Sequence, residues 1–201
     1  MKVIGLCGGS GSGKGTVSSF FSEAGIPVID TDAIYHELTS HSSDCLSELV
    51  AEFGEEIIKD GALDRGALAS IVFSSSDSDE RRLRLNRITH RYILDEAEKR
   101  LSVLAKQGSS IAVVDAPLLF ESGFDKRCDV TVAVIADNEK RVERIVMRDG
   151  ISRERALERI SSQIQNADLV SLTDYQIYNS TSLSVLRESV LDLIEKITKC
   201  N

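Results

Sequence analysis

The sequence lacks the cysteine patterns that mark zinc sites and disulfide-stapled domains. Its four cysteines are widely scattered, form no Cys-x-x-Cys pair and have no histidine at ligand spacing. A zinc site or a disulfide framework is therefore not expected, and reduced thiols in a cytosolic protein are the default. Long apolar runs are missing too: no stretch approaches a transmembrane helix, and the apolar start breaks into glycines where a signal peptide would continue. We expect a cytoplasmic protein.

An excess of positive charge is also absent. The 201 residues carry a formal net charge of −8 at pH 7. This charge argues against a general nucleic-acid or anionic-membrane binder, although it leaves room for a local basic pocket. Hydrophobic residues make up 42% and charged residues 28% of the chain. This is an ordinary globular composition, and the length suits one domain with a small inserted part.

A glycine-rich stretch, Gly8–Thr16, is the most informative part of the chain. A short β-branched run precedes it and apolar residues at helical spacing follow it, which predicts a strand, a turn and a helix. Gly8 to Lys14 has the G-x-x-x-x-G-K spacing of a phosphate-binding loop. Glycines let backbone N–H groups curl around a phosphate, the helix N-terminus adds donors, and Lys14 adds a full charge. The alternative interpretation is a flexible Gly/Ser loop. These residues are the predicted phosphate contacts: Gly9, Ser10, Gly11, Ser12, Gly13, Lys14, Gly15 and Thr16.

Alternating strand and helix patterns predict an α/β fold of the P-loop NTPase type, with three layers and a mostly parallel sheet. Continuous apolar runs, typical of buried parallel strands, occur at 3–7, 26–29, 111–114 and 130–136, and a last strand is expected at 175–178. Residues 34–106 contain no convincing strand, so we predict a helical insertion there. The expected division is a core of about 1–33, 107–140 and 166–201, an insertion of about 34–106, and a lid of about 141–165.

Three aspartates follow predicted strands and are candidates for chemistry. Asp30 and Asp32 end the second strand, and the carboxyl ends of parallel strands meet at one sheet edge, where ligands bind. One carboxylate of such a pair could accept a proton from an attacking hydroxyl. The alternative is plain helix capping. Asp115 ends another buried strand and could hold Mg²⁺ through water. No Glu follows it directly. Because an ATPase that activates water would often have a carboxylate there, this absence favours phosphoryl transfer over hydrolysis.

Arginines cluster after the apolar run at 130–136. Arg141, Arg144 and Arg148 fall at i, i+3 and i+7, on one face of a predicted helix. A lid that closes on triphosphate needs such charges, and we assign that role to Arg144 and Arg148. Interleaved glutamates favour the alternative of a solvated face with weak ion pairs. For Arg155 and Arg159 this alternative explains the sequence as well as a functional role does. His90 is equally open between a structural and a functional role.

In this order, the motifs resemble those of the dephospho-coenzyme A kinase family. The resemblance spans essentially the whole chain. The segments that carry it are Gly5–Lys14, Gly25–Asp32, Ile88–His90, Asp115–Glu121, Arg148–Ser152 and Asp174–Asn179.

The resemblance implies ATP-dependent phosphorylation of the ribose 3′-hydroxyl of dephospho-coenzyme A, the last step of coenzyme A synthesis. The reaction would use ATP and Mg²⁺, with ATP and dephospho-coenzyme A as small-molecule partners. From the charge we expect no nucleic-acid or membrane partner, and we expect a monomer or weak oligomer. Lys14 would contact the outer phosphates, Asp32 would be the base, Arg144 would act in catalysis, and Arg148 and Asn179 would bind ATP. Asp32, His90, Leu118, Leu119 and Glu121 would lie on the acceptor side. Thr16 and Asp115 are the candidate metal ligands.

The chain departs from the family pattern at three places. Gly15 replaces the usual Ser or Thr, Arg91 replaces a common Pro, and a basic residue that usually precedes Asp174 is missing. Gly15 with Thr16 also resembles adenylate kinases. A nucleoside monophosphate kinase is therefore the second hypothesis, and a nucleotide-gated binding protein without an acceptor is the third.

Overall fold

The computed structural model describes residues 1–73 and 77–199. The chain divides into two compact units: Met1–Ile29 with Leu104–Asn201, and Asp30–Val103. The sequence predicts a polar loop at 74–79, of which residues 74–76 lie outside the described residues. No helix within the described ranges combines the length and the apolar character needed to span a bilayer.

Seven strands and nine α-helices occur in the described residues. The strands are β1 (Lys2–Cys7), β2 (Val28–Asp30), β3 (Ile58–Lys59), β4 (Ala62–Leu63), β5 (Ile111–Asp115), β6 (Val130–Ile135) and β7 (Tyr175–Tyr178). The helices are α1 (Lys14–Glu23), α2 (Thr31–Ser40), α3 (Asp44–Phe53), α4 (Arg65–Phe73), α5 (Ser78–Lys106), α6 (Asn138–Asp149), α7 (Arg153–Ser161), α8 (Asn166–Leu172) and α9 (Leu183–Lys199).

The main sheet has five strands in the order β2-β5-β1-β6-β7, which confirms the predicted α/β class with a mostly parallel sheet. β1 pairs in parallel with β5 and β6, and β6 pairs in parallel with β7. β5 inserts between β1 and β2, so the first two strands of the chain are not neighbours. The carboxyl ends of β1 and β5 therefore lie side by side, with Leu6 opposite Asp115. This register brings the glycine-rich loop next to Asp115.

The sheet strands are apolar because they are covered by helices. Ile4, Leu6, Val113 and Val132 are fully buried in one core. The same core includes Val17, Phe20 and Phe21 of α1 and Leu186, Val190, Leu193 and Ile197 of α9. Burial of such side chains contributes roughly 1.5–3 kcal/mol each. A separate small core joins α6 to α7 through Val142, Ile145, Ala156 and Ile160.

The second unit is mainly helical and has its own core, formed by Cys45, Leu49, Phe53, Ile57, Leu68, Val72 and Ile88. Side-chain caps fix the starts of its helices α3 and α4. Ser43 accepts a hydrogen bond from Leu46 N (3.0 Å), and Asp64 accepts from Gly66 N (2.9 Å) and Ala67 N (3.0 Å). The expectation of no strand at 34–106 was wrong in detail, because β3 and β4 form a short antiparallel hairpin. Asp60 and Gly61, both at positive φ, make its turn.

Candidate active site

The glycine-rich loop connects β1 to α1 as a phosphate-binding loop does. Gly11 (φ 76°) and Gly13 (φ 89°) are left-handed, a conformation that costs other residues free energy and glycine almost none. Gly13 is the residue before α1, and no side chain of the described residues caps the helix there. The N-terminal N–H groups of α1 and their positive dipole therefore point to an anion site.

Lys14 pairs with the buried carboxylate of Asp115, which also accepts a hydrogen bond from Ser18 Oγ. The side chains of Lys14 and Asp115 are only 15% and 6% exposed. The pair joins the first residue of α1 to the last residue of β5. It holds the Lys14 ammonium at the sheet edge, beside the loop.

Arg144 lies behind the loop and donates to its carbonyl oxygens. Its Nη1 is 3.0 Å from Gly11 O and 3.3 Å from Ser12 O, and its Nη2 is 3.1 Å from Asn179 O. Asn179 is buried and donates from Nδ2 to Ser12 O at 2.7 Å. Both side chains bind the Ser12 carbonyl, so the trans peptide directs the Gly13 N–H away from them. Arg144 and Asn179, both predicted as ATP contacts, thus meet at the loop.

Arg148 has a different environment from Arg144, although both lie on α6. Its side chain is 63% exposed and makes two hydrogen bonds to Asp149, through Nε (2.7 Å) and Nη2 (3.0 Å). Arg159 binds the same carboxylate. Hydrogen bonds from Arg148 and Arg159 lower the pKa of Asp149 to about 2, so the group stays ionised. The ATP-binding role of Arg148 stays a prediction.

The segment after Asp115 lines a small cavity beside the loop. Leu118 and Glu121 are exposed, whereas Leu119 is fully buried. The residues that line this cavity include Cys7, Gly8, Gly9, Pro117, Leu118, Phe120, Glu121 and Gln163. Burial, followed by the charge of Glu121, raises the pKa of Cys7 to about 12, so this thiol stays protonated. Of the predicted acceptor residues, Leu118 and Glu121 therefore share one cavity with the phosphate loop.

The remaining acceptor-side candidates belong to the second unit. Asp30 caps α2, because its Oδ1 accepts from Asp32 N (2.8 Å) and Ala33 N (3.2 Å). The capping interpretation therefore holds for Asp30. Asp32 is exposed in the first turn of the same helix. His90 is half-buried on α5, and burial lowers its pKa.

Two residues that contact the loop were not assigned to the site from sequence. Arg141 was grouped with Arg144 and Arg148 by its spacing, yet it is fully buried and donates from Nε to Ser10 O at 2.9 Å. Gln163 accepts from Ser10 N at 2.9 Å. Its position between α7 and α8 carries no sequence motif that we recognised, and α8 itself was not predicted.

A family model described as dephospho-CoA kinase matches residues 2–184, more than half of the chain. The chain belongs to the dephospho-CoA kinase family. A dephospho-CoA kinase of Corynebacterium glutamicum is 37% identical over 198 residues, which are 98% of each chain. The solved structure of a protein from Thermus thermophilus has a TM-score of 0.81 at 32% identity and covers 97% of both chains. A dephospho-CoA kinase from Campylobacter jejuni has a TM-score of 0.72 at 25% identity, with 99% and 98% covered.

Proposed function

We propose that this chain transfers the γ-phosphoryl group of ATP to the ribose 3′-hydroxyl of dephospho-coenzyme A, which gives coenzyme A and ADP. The observation that carries the proposal is the extent of the family match. It covers residues 2–184, and so includes both the phosphate loop and the whole second unit. A match confined to the loop would support phosphate binding alone.

The first unit supplies the donor half of the reaction. Phosphoryl transfer requires little covalent chemistry from the protein and depends on positioning and on neutralising the oxygens of the transferred group. Lys14, the loop N–H groups and the N-terminus of α1 would stabilise the outer phosphates. Arg144 would keep the loop in shape through Gly11 O and Ser12 O. Arg148 would leave Asp149 and contact ATP when the lid closes.

For the acceptor half, Asp32 would be the general base. An exposed carboxylate at a helix start can take the proton of the ribose hydroxyl as it attacks the γ-phosphorus. His90, Leu118 and Glu121 would contact dephospho-coenzyme A. Leu119 is fully buried, so it would act through the position of its neighbours Leu118 and Glu121.

The residues present suit Mg²⁺ delivered with ATP rather than a protein-only metal site. Within residues 1–73 and 77–199, no three His, Cys, Asp or Glu side chains form a possible metal cluster. Mg²⁺ is usually held by one or two protein ligands, water and substrate phosphates. We propose that the Thr16 hydroxyl and, through water, Asp115 hold it. Bound Mg²⁺ would neutralise phosphate charge.

We further propose a cytoplasmic enzyme, a monomer or weak oligomer, whose partners are two small substrates. The net charge of −8 supports the exclusion of nucleic acid and anionic membranes.

A coupled ADP-release assay with dephospho-coenzyme A, AMP, CMP and UMP tests the proposal. We expect turnover with dephospho-coenzyme A to exceed that with each nucleotide by at least about 100-fold in kcat/KM, because acceptor contacts must discriminate by several hydrogen bonds. Equal or faster turnover with a nucleoside monophosphate would overturn it. ADP release at one rate with or without any acceptor would also overturn it, and would favour a nucleotide-gated protein.

A further inference from the structure

Arg141 is a buried cation beside the phosphate loop. It is 0% exposed, and among the described residues no carboxylate pairs with it. Neutral oxygens satisfy the guanidinium instead: Ser10 O (2.9 Å), Gln163 Oε1 (3.2 Å), and Asn138 Oδ1 and Asn166 Oδ1 (both 3.3 Å). Burying a charge without a counter-ion costs free energy, so an arginine is an unfavourable residue for a purely structural role at this position.

Ser10 is held at three different atoms by two side chains. Arg141 Nε donates to its carbonyl oxygen, and Gln163 Oε1 accepts from its backbone N–H at 2.9 Å. Gln163 Nε2 also donates to Ser10 Oγ at 3.0 Å. Gln163 Oε1 is shared between Ser10 N and Arg141 Nη2, so the two side chains form one connected network. The network fixes the orientation of the peptide groups on both sides of Ser10.

Two loop glycines leave room for this network. A Cβ at Gly9 would collide with the Arg141 guanidinium and lie 3.1 Å from Gln163 Oε1. A Cβ at Gly11 would lie 2.5 Å from the carbonyl oxygen and 2.9 Å from the Cα of Arg141. Both distances are shorter than a relaxed contact. Gly9 and Gly11 therefore permit α6 and the loop to approach, in addition to any phosphate that they face.

We infer that Arg141 and Gln163 are positioning residues that hold the loop at Ser10 in the conformation that binds the ATP phosphates. The inference rests on the proposed function for the identity of the nucleotide. Neither side chain needs to touch ATP. Both act through Ser10, and they connect the loop to α6 and to the segment between α7 and α8. A preorganised loop loses less conformational entropy when it binds its ligand.

The test is the affinity for ATP, measured by calorimetry without acceptor, in the full chain carrying Gln163→Ala. We expect the Kd for ATP and the KM for ATP to rise about tenfold, because two hydrogen bonds to the loop and one to Arg141 are lost. The KM for dephospho-coenzyme A should stay within about twofold of wild type, since a merely structural loss would not separate the two substrates. Gln176→Ala is the matched control, because it removes an amide whose hydrogen bonds, to Val170 O and Thr173 O, lie away from the loop.

Arg141→Lys provides the second variant, because it keeps the charge and can still donate to Ser10 O. We expect it to weaken ATP binding less than Gln163→Ala does. The double variant should fall within about threefold of the worse single variant, because residues of one network are not additive. Wild-type ATP affinity in Gln163→Ala would overturn the inference, and so would equal losses for ATP and acceptor. If the wild-type chain binds ATP but leaves dephospho-coenzyme A unmodified, the proposed function fails while the affinity test still decides the inference.

Discussion

Different kinds of contact stabilise the phosphate loop and the Asp30–Val103 unit. The loop is tied by side chains that are more than 130 residues away in sequence and mostly shielded from water: Arg141, Arg144, Gln163 and Asn179. The Asp30–Val103 unit has an apolar core, and its charged contacts join partly or fully exposed side chains, such as Arg84 with Glu52 and Arg91 with Glu48.

This difference indicates how each half will respond to substitution. Exposed ion pairs contribute about 0–1 kcal/mol each, whereas buried polar groups that lose a partner cost several times more. Changes around the loop should therefore affect ATP binding and stability together. Changes at exposed residues of the other unit, above all Asp32, should affect turnover with little effect on either.

Lys14→Met should have the largest effect, because it removes the charge at the outer phosphates and keeps the aliphatic stem. We expect kcat/KM for ATP to fall by about 100- to 1,000-fold. The midpoint temperature of thermal unfolding should also fall, because the buried Asp115 carboxylate keeps its hydrogen bond from Ser18 but loses the Lys14 cation. Steady-state kinetics and calorimetric melting measure both quantities. A variant that retains more than a tenth of wild-type kcat/KM would show that the loop is not the donor site.

Asp32→Asn should separate turnover from binding. Loss of a general base lowers kcat by about 100-fold or more, while the Kd for ATP should change less than about threefold. Asp30→Asn is the matched control, because Asn caps a helix about as well as Asp and should leave kcat near wild type. Asp30→Ala should cost roughly 1 kcal/mol of stability through loss of the α2 cap. A reversed order of the two Asn variants would assign the base to Asp30.

Arg144→Ala and Arg148→Ala compare two arginines on one helix. Arg144→Ala removes the donor to Gly11 O and leaves Ser12 O with Asn179 alone, and it should reduce kcat/KM for ATP by about 10- to 100-fold. Arg148→Ala breaks an exposed pair with Asp149 and should reduce it by less than about tenfold. Parallel kinetic measurements with ATP as the varied substrate provide the ranking. The opposite ranking would mean that Arg148 moves from Asp149 to ATP and does more there than Arg144.

Thr16→Ala tests how the metal is held. If the Thr16 hydroxyl is a ligand, the Mg²⁺ concentration for half-maximal rate should rise about tenfold, as expected when an oxygen ligand is lost. A Cβ at Gly15 meets no heavy atom within 4 Å, so Gly15→Ser is sterically permitted. Adding Gly15→Ser to Thr16→Ala should restore most of the Mg²⁺ response, since it puts a hydroxyl in the usual slot. An unchanged Mg²⁺ requirement in Thr16→Ala would remove Thr16 from the metal site.

The smallest effect should be on the pH dependence of stability, through His90. Burial lowers its folded pKa below the unfolded value of about 6.5, so the unfolded chain binds more protons as the pH falls below that value. The free energy of unfolding is therefore unaffected by His90 protonation above about pH 6.5. It decreases as the pH falls towards the folded pKa. The urea midpoint should therefore drop more between pH 7.5 and 5.5 in wild type than in His90→Gln. His41→Gln, at an exposed position, should behave like wild type. Equal pH slopes for wild type and His90→Gln would contradict this account.

Much of the fold was predictable because local signals agree with the tertiary structure. The strand, loop and helix around Lys14 follow from apolar runs and glycines. Ser152 and Asp64 are capping residue types placed just before helical patterns, and they cap α7 and α4. The β3–β4 hairpin was missed because its strands are only two residues long, and α8 because its seven residues are too few for a periodic pattern.

The environment of the arginines could not be predicted from spacing. Residues at i and i+7 share a helix face but lie about 10 Å apart along the axis. Arg141 therefore reaches the buried side of the loop while Arg148 lies in solvent, where Asp149 pairs with it. The partners of Arg141 come from the loop, from α6 itself and from the α7–α8 region, and no local pattern encodes their approach.

The most direct test of the account is to identify the product formed from ATP and dephospho-coenzyme A by the wild-type chain. Phosphorus NMR and mass spectrometry would follow ADP and the phosphorylated acceptor in one reaction with Mg²⁺. We predict one coenzyme A for each ADP, with the new phosphate on the ribose 3′-oxygen. ADP without coenzyme A, or a phosphate at another position of the acceptor, would contradict the account.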